Sequence, residues 1–205
     1  MTQIIEKVRT YYAGKIGEFG ATHQGADWNS AESQNLRFVQ LLKVCGDNKD
    51  FSLNDLGCGY AALYDVLKET APKARYNGYD ICPEMVAAAK KRLGEQPNLR
   101  LIEGSEMEQA DYTVASGILH VKLGSSDAEW LSHIHATIDQ MNKASKKGFA
   151  LNLLTSYSDA DKMRPDLYYA DPCYFFDFLK RNLAFNVAVL HDYGLWEFTL
   201  IAKKD

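Results

Sequence analysis

The sequence predicts an α/β domain: a mostly parallel sheet with helices on both faces, preceded by a helical segment. Three observations carry this. From Phe51 onward, short apolar strand patterns alternate with helical ones, the pattern of a parallel sheet whose strands are joined by helical crossovers. The run Phe51-Ser52-Leu53-Asn54-Asp55-Leu56-Gly57-Cys58-Gly59 ends a strand in an acid and a tight glycine turn. Near the end of the sequence, two β-rich runs are joined around Asp192-Tyr193-Gly194, a hairpin that places the last strand antiparallel to its neighbour.

The elements follow in order. Residues 3–19 read as an amphipathic helix with Ile4, Ile5, Val8, Tyr11 or Tyr12, and Ile16 on one side. Gly17, Gly20 and Gly25 then loosen the chain around His23, Asp27 and Trp28. Asn29 with Glu32 resembles a capping box that opens a second helix to about Val44. Strands are expected at 51–56, 75–80, 99–103, 112–119 and 149–154, and the closing hairpin at 186–191 and 196–202, seven in all. Helices fill the gaps. One spans 61–70, and one opens at Pro83, which suits a first helical turn. A third follows the Ser126–Glu129 capping box and buries Trp130, Ile134, Ile138 and Met141. A fourth starts at Asp171 and Pro172. Residues 155–170 form a long connection, a length that inside a compact domain is usually functional or mobile. The whole reads as a single domain, with residues 1–46 as an N-terminal helical lid and 51–205 as the core.

Composition narrows the function. A length of 205 residues suits one domain with a substantial core. A formal net charge of −4 disfavours nucleic acid as a partner, since backbone phosphates call for a basic surface. Cys45, Cys58, Cys82 and Cys173 are scattered, without the close pairs of a zinc or redox site, and read as reduced cytosolic thiols. No apolar run is long enough to span a bilayer and no signal-peptide pattern appears, so a cytoplasmic protein without a membrane partner is expected.

Asp55, the Gly57-Cys58-Gly59 turn and Asp80 at the end of the second strand form a nucleoside-binding pattern. Glycine lets backbone approach a ligand closely, and Asp80 offers two acceptor oxygens to the paired hydroxyls of a ribose. Gly57, Gly59 and Ala62 also satisfy a dinucleotide fingerprint, but Asp55 would repel a pyrophosphate there and welcome a cationic amino group. On these residues the sequence resembles the class I S-adenosylmethionine-dependent methyltransferases, from about Phe51 onward. The resemblance implies a Rossmann-like seven-stranded sheet, S-adenosylmethionine as cofactor and S-adenosylhomocysteine as product. It also implies that Asp80 holds the ribose and that the Gly57-Cys58-Gly59 backbone faces the methionine moiety.

Ligands in such sheets sit outside the C-terminal strand ends, which selects Asp55, Gly57, Cys58, Gly59, Asp80, Ile81, Ser105, Glu106, Met107 and Ser116 for the cofactor. Ser105 or Glu106 stands where family members often place an adenine-binding Asp; Met107 packs on the purine or in the core. Arg37, by resemblance to enzymes with helical lids, either holds the cofactor's carboxylate or sits on the surface. Residues 115–120 lack the Asn/Asp-Pro-Pro-aromatic pattern common among exocyclic-amine methylases, and no carboxylate set implies a metal. His120 is the candidate base, with a structural role as the other reading. Tyr12, Trp28, Arg164 and Tyr168 are the candidates for binding an acceptor alongside His120. His23 and His191 are weaker candidates; His133 and His135 read as helix-surface residues. The expected reaction is methyl transfer to a small molecule, with oxygen the favoured atom, by a monomer or homodimer. N-methylation of a small amine or protein side chain, and cofactor binding without turnover, are the alternatives.

Overall fold

A computed structural model describes residues 2–204, without the side chains of Thr2 and Gln3. Helices α1 (Thr2–Phe19) and α2 (Ala31–Leu42) precede β1 (Ser52–Leu56), α3 (Ala62–Thr70), β2 (Arg75–Asp80), α4 (Pro83–Leu93) and β3 (Leu99–Glu103). Then come β4 (Ala110–Ala115), α5 (Asp127–Ala144), β5 (Ser145–Thr155), β6 (Tyr169–Ala170), α6 (Pro172–Asn182), β7 (Asn186–Leu190) and β8 (Glu197–Lys203). The sheet order is β3-β2-β1-β4-β5-β8-β7. Pairing is parallel from β3 to β5 and antiparallel across β5–β8 and β8–β7.

This is the predicted mostly parallel sheet with its antiparallel hairpin, with three local differences. The strand expected at 112–119 ends at Ala115, because Gly117 at φ +75° turns the chain out of the sheet. The loop beyond is pinned where the Trp130 indole N–H donates to the Leu119 carbonyl at 2.9 Å. Second, α2 is capped by Ser30 rather than Asn29: its hydroxyl accepts the Ser33 N–H at 3.1 Å, satisfying one of the orphan donors at the helix start. Third, the 155–170 connection contributes an eighth strand, β6, beside β5. A Val121–Leu167 bridge and the Tyr168 N–H to the His120 carbonyl (2.8 Å) pull that connection against the loop after β4.

Two cores flank the sheet. Leu41, Leu53, Leu63, Tyr64, Tyr76 and Val114 pack together on the α2–α3 side. Trp130, Ile134, Ile138, Phe149, Leu179 and Phe198 fill the α5–α6 side. Burial of each such side chain contributes roughly 1.5–3 kcal/mol, so the sheet is a rigid frame for what its strand ends carry. A third, small cluster docks α1: Ile16 packs with Tyr60, in the turn after β1, and with Cys82 and Met85, at the start of α4. Among the described residues no helix is long and apolar enough to cross a membrane.

Candidate cofactor and acceptor site

The C-terminal ends of β1, β2 and β4 open into one cavity of about 390 Å³, roofed by α1 and α2. That size suits a small ligand. The turn after β1 is set by glycine. Gly57 lies at φ +72°, and a Cβ there would stand 2.1 Å from Ile118 Cγ2. The N–H groups of Gly57 and Cys58 donate to the Tyr79 carbonyl at 2.7 and 3.0 Å, tying the turn to β2. Arg92 of α4 donates to the carbonyls of Tyr60 and Ala61 and fixes the next two residues, where Ala61 takes φ +61°.

Asp80 is held from both sides. Its Oδ2 accepts the Gly59 N–H and its Oδ1 the Cys82 N–H, each at 2.8 Å. Burial raises its pKa, and the two backbone donors pull the other way. Each oxygen keeps a lone pair for a ligand hydroxyl. Asp55 lies deeper, 3% exposed, and accepts the Tyr76 hydroxyl at 2.5 Å. Burial pushes its pKa up to about 7; the Tyr76 bond opposes this and the nearby Asp80 charge adds to it. A cation beside it would restore its charge. Tyr12 of α1 is half-buried, and its phenol is pushed well above the usual range, mainly by desolvation, then by the Asp27 carboxylate, with Asp80 contributing. Asp27 is itself fixed, accepting the Tyr11 hydroxyl at 2.7 Å and pairing with Lys15 at 2.7 Å.

The other end of the cavity lies beyond β4. The Trp28 indole sits on Gly117, where an added Cβ would meet Cη2 at 2.4 Å, and meets the His120 ring edge-on at 6.0 Å. Arg37 of α2 places its guanidinium 4.2 Å from the indole and its Nε in ion-pair contact with Glu197 of β8. His120 Nε2 lies 3.7 Å from the same carboxylate. Asn152 of β5 joins the group: its Oδ1 accepts the Gly117 N–H at 2.8 Å and its Nδ2 donates to Glu197 at 3.4 Å. Burial, then the Arg37 charge, push the His120 pKa down to about 3, so the imidazole is neutral. Burial raises Glu197 to about 7, against the pull of Arg37.

The cavity wall brings together Asp55, Gly57, Cys58, Gly59, Asp80, Ile81, Ser105 and Ser116 with Arg37, Tyr12, Trp28, His120 and Arg164. Glu106, Met107 and Tyr168 lie off it. Glu106 is exposed, while Met107 and Tyr168 pack against the α5–α6 core. His133 and His135, read as helix-surface residues, are half-buried. His133 is half-buried against Trp130 and lines the cavity, and His135 packs 4.2 Å from Phe178. Gln34 of α2 joins the wall and accepts the Tyr60 hydroxyl at 2.8 Å. Two features were not legible in sequence. Gln140 of α5 donates to the Ser105 carbonyl. Glu197 pairs with Arg37; an acid inside an apolar strand run was its one signal.

The site fits S-adenosylmethionine. Asp80 held by backbone donors, a glycine turn without room for a Cβ, the buried acid Asp55 and an arginine with an unpartnered nitrogen are groups of the kinds that molecule's parts require. Comparisons with known proteins agree. A family model described as a methyltransferase domain matches residues 54–147. A Mycobacterium tuberculosis protein, Rv1506c, named as a candidate methyltransferase, is 55% identical over 164 residues, covering 80% of this chain and 99% of that one. The trans-aconitate 2-methyltransferase of Mycobacterium sp. (strain KMS) is 36% identical over 90 residues, 43% of this chain and only 35% of that enzyme. Among solved structures, magnesium protoporphyrin IX methyltransferase from Synechocystis PCC 6803 with bound S-adenosylhomocysteine superposes with a TM-score of 0.63 at 16% identity. That match covers 85% of this chain and 84% of the other, and bears on the fold. The chain belongs to the class I S-adenosylmethionine-dependent methyltransferases.

Proposed function

We propose that the chain methylates a small-molecule acceptor at an oxygen acidic enough to arrive ionised. When bound, S-adenosylmethionine supplies an electrophilic methyl group on a sulfonium, and its departure leaves a neutral sulfide. In this reading Asp80, with Tyr12 beside it, takes the ribose, Ser105 lies at the adenine end, and Asp55 faces the amino group. Arg37 takes the carboxylate. Trp28, His120 and Arg164 line the acceptor side.

The observation that carries the acceptor chemistry is the state of His120. A neutral imidazole whose pKa stands near 3 is a weak proton acceptor. The ring is 7% exposed, and its Nε2 lies 3.7 Å from the buried Glu197 carboxylate. Methyl transfer needs a base only when the nucleophile must lose a proton, so an already ionised oxygen needs only to be positioned. The trans-aconitate methyltransferase among the relatives is named for such an acceptor.

The test is incubation with S-adenosylmethionine carrying a labelled methyl group, against matched panels of small carboxylic acids and phenols, of amines, and of protein. Mass spectrometry is expected to place the label on oxygen in the acid and phenol panel. Label found only in the amine panel, or only on protein, overturns the reading.

A further inference from the structure

We infer that Glu197 is a positioning residue: it holds Arg37 so that the free side of the guanidinium receives the carboxylate of the cofactor's amino-acid end. The inference rests on the reading of Arg37 given above.

Arg37 is held on two sides. Glu197 is in ion-pair contact with Nε, and the Trp28 indole covers the guanidinium 4.2 Å away. The Arg37 side chain is 10% exposed and that of Glu197 1%, so neither charge is solvated as it would be on a surface. Yet Arg37 Nη1 has no hydrogen-bond partner among the described residues, although Arg37 lines the cavity. A buried donor left open beside a cavity, on a group otherwise fixed, is a docking point awaiting an acceptor oxygen. Glu197 is fixed in turn through Asn152, which also holds the Gly117 N–H. One β5 side chain thus anchors both the arginine's partner and the turn on which Trp28 rests.

Stability alone does not account for the pair. Desolvating two charges costs about as much as their attraction returns, and apolar residues commonly replace such pairs without loss. Fixing a long, flexible side chain before the ligand arrives lowers the entropy lost on binding.

The experiment compares two ligands by calorimetry: S-adenosylhomocysteine, and 5′-methylthioadenosine, which lacks the amino-acid end. Glu197→Gln is expected to weaken S-adenosylhomocysteine about tenfold and to leave 5′-methylthioadenosine within about twofold. Glu197→Asp keeps the carboxyl group but withdraws it by one methylene; it is expected to show the same selective loss, smaller in size. Equal losses for both ligands would make Glu197 a general structural residue and overturn the inference, as would unchanged or tighter S-adenosylhomocysteine binding. Arg37→Met separates the two layers. If it leaves the ratio of the two affinities unchanged, the reading of Arg37 fails and the inference falls with it. If Arg37→Met removes the preference and Glu197→Gln does not, only the inference on Glu197 fails. The double variant, which leaves neither charge buried alone, should match Arg37→Met.

Discussion

Replacing Asp80 with alanine removes the carboxylate that the Gly59 and Cys82 N–H groups hold at the end of β2. Hydrogen bonds to a charged group contribute ~1.5–3 kcal/mol, and each ~1.4 kcal/mol is tenfold in affinity. S-Adenosylhomocysteine binding should therefore weaken by about 10- to 150-fold. The substitution also strands two backbone donors. Water from the adjoining cavity can reach them, so the stability cost falls near the low end for a lost acceptor, ~1 kcal/mol each. For a chain of this size that lowers the melting temperature by about 4–8 °C. Asp80→Asn separates charge from shape, because the amide keeps one acceptor and the side-chain volume. Titration calorimetry reads the affinity and thermal unfolding reads the fold. A folded Asp80→Ala protein that binds S-adenosylhomocysteine as tightly as the parent would refute Asp80 as the ribose acid.

Two further outcomes follow from the geometry. Gly117→Ala adds a Cβ 2.4 Å from the Trp28 ring at a φ of +75°, so the indole must leave its seat. Trp28 fluorescence should shift and turnover should fall by more than tenfold, as expected of a displaced positioning wall; unchanged emission and rate would contradict the packing. Asp55 predicts a pH dependence. Its folded pKa, raised from 3.8 to about 7, makes a stability contribution that is full below pH 4 and lost as pH rises through 7. The cost of ionisation in the ligand-free protein is ~4 kcal/mol. A bound cation favours the ionised form, so S-adenosylmethionine binding near pH 6 should release a proton that Asp55→Asn does not release. Calorimetry in two buffers of different ionisation enthalpy measures this, and proton uptake attributable to Asp55 would reverse the argument.

What the sequence revealed was local chemistry. An acid before a glycine turn, a second acid closing the next strand, the Ser126–Glu129 capping box and the closing hairpin each lie within a few residues of their structural consequence. The misjudged features depend on contacts between distant segments. The β-rich run at 112–119 promised a longer strand, but Gly117 and the Trp130 anchor end it early. His133 and His135 occupy positions whose burial depends on α1, α6 and the cavity, which the periodicity of α5 does not encode. Arg37 is a candidate from its place in the sequence, but its partner Glu197 lies far along the chain, on β8.

The arrangement of the ligand in this cavity is tested most directly by a crystal structure with S-adenosylhomocysteine bound. The account predicts ribose hydroxyls on Asp80, the ligand's carboxylate on Arg37 Nη1, and its sulfur toward the Gly117–His120 wall. A ribose away from Asp80, or a carboxylate bound elsewhere than Arg37, would contradict it.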